Sequence, residues 1–317
     1  MSEPDAEGSR TDSPARATSA PAVSTLLLVD GHAYAYRAFH AIRNLSGPDG
    51  QATNAIFGFV KMLARMRAVV NPTHLAVVWD GGLSAARMAL VPEYKAQRPP
   101  MPDDLANQID EIIIWLGAAR IRSVRQDEVE ADDLIASLAK VAVVENGATV
   151  VIASADKDFF QLIGAAVGML NPNDKTDTIW GAAQVAGKTG VPPEQVVDWL
   201  SLIGDAVDNI RGVAGVGPKT ATDLLVRFGS IDGLYARLDE VKSERVRAAL
   251  RDAAEVVRRN QQMIRLQDDL PGLPGIAELV AGAPDQGRLV ELYRRWGFKG
   301  LAAEAEKLGG QKDLFGA

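Results

Sequence analysis

Three short apolar runs, Thr25 to Val29, His74 to Trp79 and Ala148 to Ala155, each stop at an aspartate: Asp30, Asp80 and Asp156. Between them, apolar positions recur at helical spacing over Asn54 to Val70, Pro102 to Leu116 and Glu130 to Val144. Strands alternating with helices predict an α/β fold, with a mostly parallel central sheet flanked by helices. Right-handed crossovers then point the three strands the same way. In open sheets of this kind, ligands bind beyond the carboxyl ends of the strands. A single strand-end aspartate is ordinarily a cap or turn residue. Three on one edge make a candidate site.

From Gln195 the pattern changes to helices joined by glycine-rich turns. A helix over Ser243 to Leu266 is predicted, dense in Arg245, Arg247, Arg251, Arg258, Arg259 and Arg265. Its cations read equally as a solvated face or a DNA-facing one. Residues 1–24, rich in Ser, Ala and Pro, are expected to be a disordered tail. The expected organisation is that tail, an α/β core over 25–185, a helical lobe over 186–305 and a flexible tail over 306–317.

Composition narrows this. A chain of 317 residues can bury a substantial core, and with no cysteine no disulfide framework is possible. There is no apolar leader and no apolar run long enough to cross a bilayer, so a cytoplasmic location without membrane association is expected. The net charge of −7 argues against a generic polycationic DNA coater. It leaves room for an enzyme that collects acids in one pocket.

The acids are placed for that. Glu130, Asp132 and Asp133 open a predicted helix in Glu-Val-Glu-Ala-Asp-Asp-Leu. Asp158 follows Asp156 on the same face of an extended segment. Asp205 and Asp208 are helical neighbours in Gly-Asp-Ala-Val-Asp-Asn. Two like charges about 4 Å apart repel by about 4 kcal/mol at an effective dielectric near 20. Such a cluster must protonate or bind cations. Oxygen-only donors favour Mg²⁺ or Mn²⁺ over zinc, and two such ions can activate a water and stabilise the leaving oxygen of a phosphodiester.

Two further segments suggest phosphate binding. In Gly-Val-Gly-Pro-Lys-Thr, Gly215 and Gly217 permit a tight turn and close approach, and Pro218 suits the first turn of a helix. The free N–H groups there, with Lys219 and Thr220, make an anion site that grips backbone without reading sequence. After Asp80 comes a stretch with Arg87, Tyr94, Lys95 and Arg98. It reads equally as a solvated loop or as a grip on the scissile phosphate, where Lys95 and Arg98 would neutralise developing charge.

Together these segments resemble the bacterial 5′-nuclease family, which includes the N-terminal domain of DNA polymerase I, phage 5′-exonucleases and flap endonucleases. The matching stretches are 27–41, 92–102, 130–133, 153–162 and 204–220, in family order and spacing over roughly 25–240. The resemblance implies a core with a helical arch, at about 81–105, and a helix-hairpin-helix type lobe. It implies one metal site from Asp30, Asp80, Glu130 and Asp132, and either a second or a second and a third from Asp132, Asp156, Asp158, Asp205 and Asp208. Asp133, counted with the metal ligands, matches a family acid with a less direct role. Tyr36 matches an aromatic that stacks on a base near the cut. Lys95 and Arg98 match cations at the scissile phosphate, and Arg87 and Tyr94 fall in the same DNA-binding region. Relatives with this glycine turn bind the downstream duplex there, often with a K⁺ ion. At the start of the arch, Gly81-Gly-Leu-Ser-Ala-Ala-Arg87 stands where relatives often place lysines.

The implied activity is a metal-dependent 5′ flap endonuclease and 5′–3′ exonuclease acting on DNA with 5′ flaps, nicks or gaps, in Okazaki-fragment processing and repair. The alternatives are a PIN-type ribonuclease, which would not need the glycine-turn lobe, and a non-catalytic structure-specific DNA-binding protein, which would have no use for the acids. No polymerase segment follows residue 317, so the chain is expected to act by itself, as a monomer. Gln311, Leu314 and Phe315 resemble the short peptide that binds the bacterial β sliding clamp.

Overall fold

In the computed structural model, residues 24–315 are described, with side chains through residue 310. Residues 1–23 of the tail expected at 1–24 and the side chains of Gln311, Leu314 and Phe315 lie outside the described residues. The sheet strands are β1 (Thr25–Asp30), β2 (His74–Val78), β3 (Arg122–Val124), β4 (Thr149–Ala153), β5 (Val167–Leu170) and β6 (Ile179–Trp180). Their order is β3-β2-β1-β4-β5-β6, parallel except for the antiparallel β6 edge. The order reverses between β1 and β4, which makes the crevice beyond their carboxyl ends the natural ligand site.

Helices α1 (Gly31–Ala41), α2 (Asn54–Val70), α3 (Ala85–Leu90), α4 (Asp103–Ala118) and α5 (Ala131–Asn146) fill the crossovers. Every central strand is buried on both faces, which is why the strands read as unbroken apolar runs. Leu26, Leu28, Val150 and Ile152 face α5 and the helical lobe. Leu27, Val29, Val151 and Ala153 face α1, α2 and α4.

The lobe comprises α6 (Ala182–Thr189), α7 (Val196–Ile203), a hairpin of β7 (Gly204–Asp205) and β8 (Ile210–Arg211), α8 (Pro218–Phe228), α9 (Ile231–Ala236), α10 (Glu244–Asp252) and α11 (Ala254–Ile264). The single arginine-rich helix expected over 243–266 is two helices, broken at Ala253, where φ −96° and ψ 8° leave the helical range. Three of its arginines are spent on salt bridges: Arg247 with Glu244, Arg251 with Asp239 and Arg258 with Asp232.

Two boundaries differ from those the sequence predicts. Helix α12 (Gln286–Arg295) does not belong to the lobe but crosses back to the core, where Trp115 Nε1 donates to Tyr293 Oη at 2.9 Å. Helix α13 (Lys299–Phe315) occupies the segment expected to be a flexible tail. It is held because Ala302 and Ala305 bury against the same core face. The expected arch is also not a free-standing element. The chain between β2 and α4 folds back as α3 and turns, burying Arg87, Tyr94 and Lys95. Among the described residues no helix is long and apolar enough to cross a membrane.

Candidate functional site

The acids gather at the carboxyl edge of the sheet. Asp30 ends β1 and caps α1, accepting from the Ala33 amide at 3.0 Å and from Ser154 Oγ at 2.9 Å. Asp80, just past β2, accepts from the Ala131 amide that starts α5 at 2.8 Å, and its Oδ2 lies 3.2 Å from His32 Nδ1. Asp156, past β4, accepts from the Asp158 amide at 2.9 Å. Asp132 lies in the first turn of α5.

The lobe contributes Asp205 and Asp208 from the β7–β8 hairpin. Their carboxylate oxygens and one of Asp158 lie within 4.8 Å of one another. Asp158 Oδ1 is buried and has no hydrogen-bond partner among the described residues. A buried carboxylate oxygen left without a donor is strongly unfavourable unless something else binds it. An all-oxygen donor set with one orphaned oxygen fits a hard divalent cation.

The electrostatics agree. Burial pushes Asp30 up to about 6, with Asp80 and Asp156 adding repulsion against the hydrogen bonds it accepts. Burial and the charges of Asp156 and Asp30 hold Asp132 well above the usual carboxylate range. Burial and the charges of Asp156, Asp208 and Asp205 do the same for Asp158. Asp156 is raised mainly by burial. Asp80 is the exception: its burial is outweighed by His32, the Ala131 amide and Lys95, and it is lowered. Asp30, Asp132, Asp156 and Asp158 therefore hold protons to higher pH than ordinary carboxylates do, and a bound cation would displace them.

The cations face these acids. Lys95 Nζ donates to Glu130 Oε1 at 2.9 Å and lies 3.9 Å from Asp208. Its backbone is left-handed, φ 55°, a conformation that a non-glycine residue adopts under constraint. The constraint is tertiary: the Lys95 amide donates to the Asp208 carbonyl at 3.2 Å. Burial alone would lower the Lys95 ammonium, but Glu130, Asp208 and Asp132 outweigh it and keep it charged. Arg98 donates to Asp208 Oδ1 at 2.6 Å.

Some expectations change with this geometry. Glu130 is 1 % exposed, and its oxygens accept from Arg87, Lys95 and Tyr94. It stands as counter-ion of the basic segment and would reach an ion only by releasing a partner. Asp133 is buried and accepts from both terminal nitrogens of Arg87 and from the Gln267 amide, so both its oxygens are already occupied. Arg87 and Tyr94 are buried, not laid out for DNA, because the uncompensated charge of Glu130 and Asp133 draws them inward.

Tyr36 is half-buried on α1 beside His40. Gly215 takes φ +76°, Gly217 has open space where a Cβ would stand, and Lys219 is exposed at the start of α8. Thr220 is half-buried one residue further on, so the turn is open to a ligand. Sequence reasoning missed Ser154, His32 and Lys157, the last 3.3 Å from Asp205. Each lies within two residues of a strand-end aspartate, the one signal available.

Comparison with known proteins identifies the family. Residues 25–190 match the family described as 5′-3′ exonuclease, N-terminal resolvase-like domain, and residues 191–287 match 5′-3′ exonuclease, C-terminal SAM fold. A 5′-3′ exonuclease of Aquifex aeolicus is 34% identical over 92% of this chain and 100% of its own length. DNA polymerase I of Bacillus caldotenax is 35% identical over 89% of this chain but only 32% of its own. Thus the chain spans about a third of that polymerase. Among solved structures, T5 5′-exonuclease with bound zinc shares the fold at TM-score 0.65 and 20% identity, covering 89% of this chain and 98% of that one. The catalytic core of Rad2 in complex with DNA substrate shares it at TM-score 0.57 and 17% identity, covering 86% and 88%. With two consecutive family domains matched and a relative aligned over its full length, this chain belongs to the 5′-3′ exonuclease family.

Proposed function

We propose that the chain is a divalent-metal-dependent, structure-specific nuclease that hydrolyses DNA phosphodiesters near single-strand/double-strand junctions. It acts as a 5′ flap endonuclease and 5′–3′ exonuclease in Okazaki-fragment processing and repair. The observation that carries this is the convergence of Asp30, Asp80, Asp132, Asp156, Asp158, Asp205 and Asp208 at one sheet edge, beside Lys95 and Arg98. The structure described as a T5 flap endonuclease pseudo-enzyme–product complex with DNA and metal ions supports the reading.

Asp30, Asp80 and Asp132 would hold one Mg²⁺ or Mn²⁺, with Glu130 joining them if it releases a partner, and Asp132, Asp156, Asp158, Asp205 and Asp208 would hold a second. When bound, such ions supply Lewis acidity for water activation and for the leaving oxygen. The chain's own residues do the rest. Lys95 and Arg98 exchange Glu130 and Asp208 for the scissile phosphate. Tyr36 offers a face for a base. The Gly215–Thr220 turn and Lys219 hold the downstream duplex, with K⁺ as its companion ion. We assign Gln311, Leu314 and Phe315 to β-clamp binding, and to the chain a monomeric state and a cytoplasmic location. Deleting 311–317 should abolish clamp-stimulated cutting.

The test is cleavage of a 5′-labelled double-flap DNA by wild type and Asp156→Ala, with Mg²⁺, Mn²⁺ or chelator. Metal-dependent release of a short 5′ product by wild type alone is expected. Tight junction binding without cutting in any metal would leave only a DNA-binding protein.

A further inference from the structure

Arg87 is in the wrong place to touch DNA and in the right place to join two parts of the enzyme. The residue is 6 % exposed. Nη1 donates to Glu130 Oε2 at 2.5 Å and to Asp133 Oδ2 at 2.6 Å, and Nη2 donates to Asp133 Oδ1 at 2.7 Å. The other side of the fork is turned to backbone: Nε donates to the Met263 carbonyl at 2.9 Å and Nη2 to the Arg265 carbonyl at 3.2 Å. Gln267 N–H closes the circuit by donating to Asp133 Oδ1 at 2.8 Å.

The carboxylates belong to the start of α5, which also carries Asp132. The carbonyls belong to the end of α11, where a helix leaves its last acceptors without intrahelical donors. Helix α11 packs on α7 and β8, the elements that bring in Asp205 and Asp208. In the same way, Asn260 of α11 donates to the Arg211 carbonyl of β8 at 2.8 Å. One side chain thus ties the acids of the sheet edge to the helix that braces the acids of the lobe. A lysine cannot replace it, because one ammonium cannot span two carboxylates and two carbonyls in this flat arrangement.

We propose that Arg87 is a positioning residue that fastens the first turn of α5 to the end of α11 and so sets the spacing between the two halves of the acidic cluster. Only its catalytic consequence rests on the proposed metal chemistry.

The experiment compares wild type, Arg87→Lys and Arg87→Met. Amide hydrogen exchange at Gln267 and in the first turn of α5 should accelerate together, by about 10-fold or more. The Mn²⁺ concentration for half-maximal cleavage should rise about 10-fold, as for other residues that orient ligands. The Kd for flap DNA in chelator, and its salt dependence, should stay within about twofold. Unchanged exchange with weakened DNA binding and a salt slope reduced by about one would make Arg87 a phosphate contact and overturn the proposal. Asp133→Asn, alone and combined with Arg87→Lys, gives a second reading if Arg87→Met does not fold. Non-additive effects on exchange support the coupling and additive ones refute it. Should wild type show no metal-dependent cleavage, the nuclease chemistry fails, while exchange and additivity still decide the role of Arg87.

Discussion

With metal removed, lowering the pH should make this protein more stable, against the usual course of acid denaturation. Burial raises Asp30 from 3.8 to about 6 in the folded state. Between those values the folded chain binds a proton that the unfolded chain does not. That stabilisation is complete below pH 3.8 and is lost as the pH rises through about 6. From pH 8 to pH 5, Asp30 alone then contributes about 1.4 kcal/mol of stability. Asp132, Asp156 and Asp158 are shifted the same way and add to it. Asp80 is shifted down and remains ionised over this range, so it does not oppose them. The assay is urea denaturation in chelator at pH 5 and pH 8, for wild type and Asp30→Asn. The variant should be more stable than wild type at pH 8 without metal, by up to about 3 kcal/mol, and less responsive to pH by about 1.4 kcal/mol. Saturating Mn²⁺ should remove the pH dependence in wild type. Metal-free stability that is flat or falls from pH 8 to pH 5 would refute the account of the acids as a repelling cluster.

Other outcomes follow from single contacts. Lys95→Met should lower kcat by about 100-fold or more, and destabilise the protein by about 2 kcal/mol because Glu130 loses one of its charged donors; single-turnover cleavage and thermal melts read the two effects. Gly31→Ala would place a Cβ 2.6 Å from the Trp79 ring and 2.8 Å from the Val78 carbonyl, so the start of α1 must shift and move Asp30 with it. A melt lowered by several degrees and a loss of activity larger than the loss of stability are expected. Lys219→Ala should weaken flap-DNA binding evenly across sequences and reduce the salt slope by about one, with the metal requirement unchanged in a Mn²⁺ titration.

Much of the site is legible in the amino-acid sequence because its signal is local. A parallel strand buried on both faces is an apolar run, and an acid at its end stands at the ligand edge whatever surrounds it. Asp30, Asp80 and Asp156 therefore fall into place from pattern alone, as does α2 over Asn54–Val70. The glycine turn declares itself because positive φ at Gly215 is a backbone property. Short elements such as β3, three residues with one buried side chain, leave too little periodicity to detect.

The tertiary structure decided which charges meet. Sequence placed Arg87 with the DNA-binding residues and Asp133 with the metal ligands; folding pairs them with each other, across 46 positions of chain. It turned Arg247, Arg251 and Arg258 of α10 and α11 toward nearby acids, and it returned α12 and α13 to the far face of the core. Helix propensity and strand patterning act over a few residues, so the chain determines its own elements and the edge on which its acids lie. Charge pairing depends on distances between residues that are far apart in sequence. Only the packed structure sets those distances, and with them which carboxylates are neutralised by the protein and which remain for a metal.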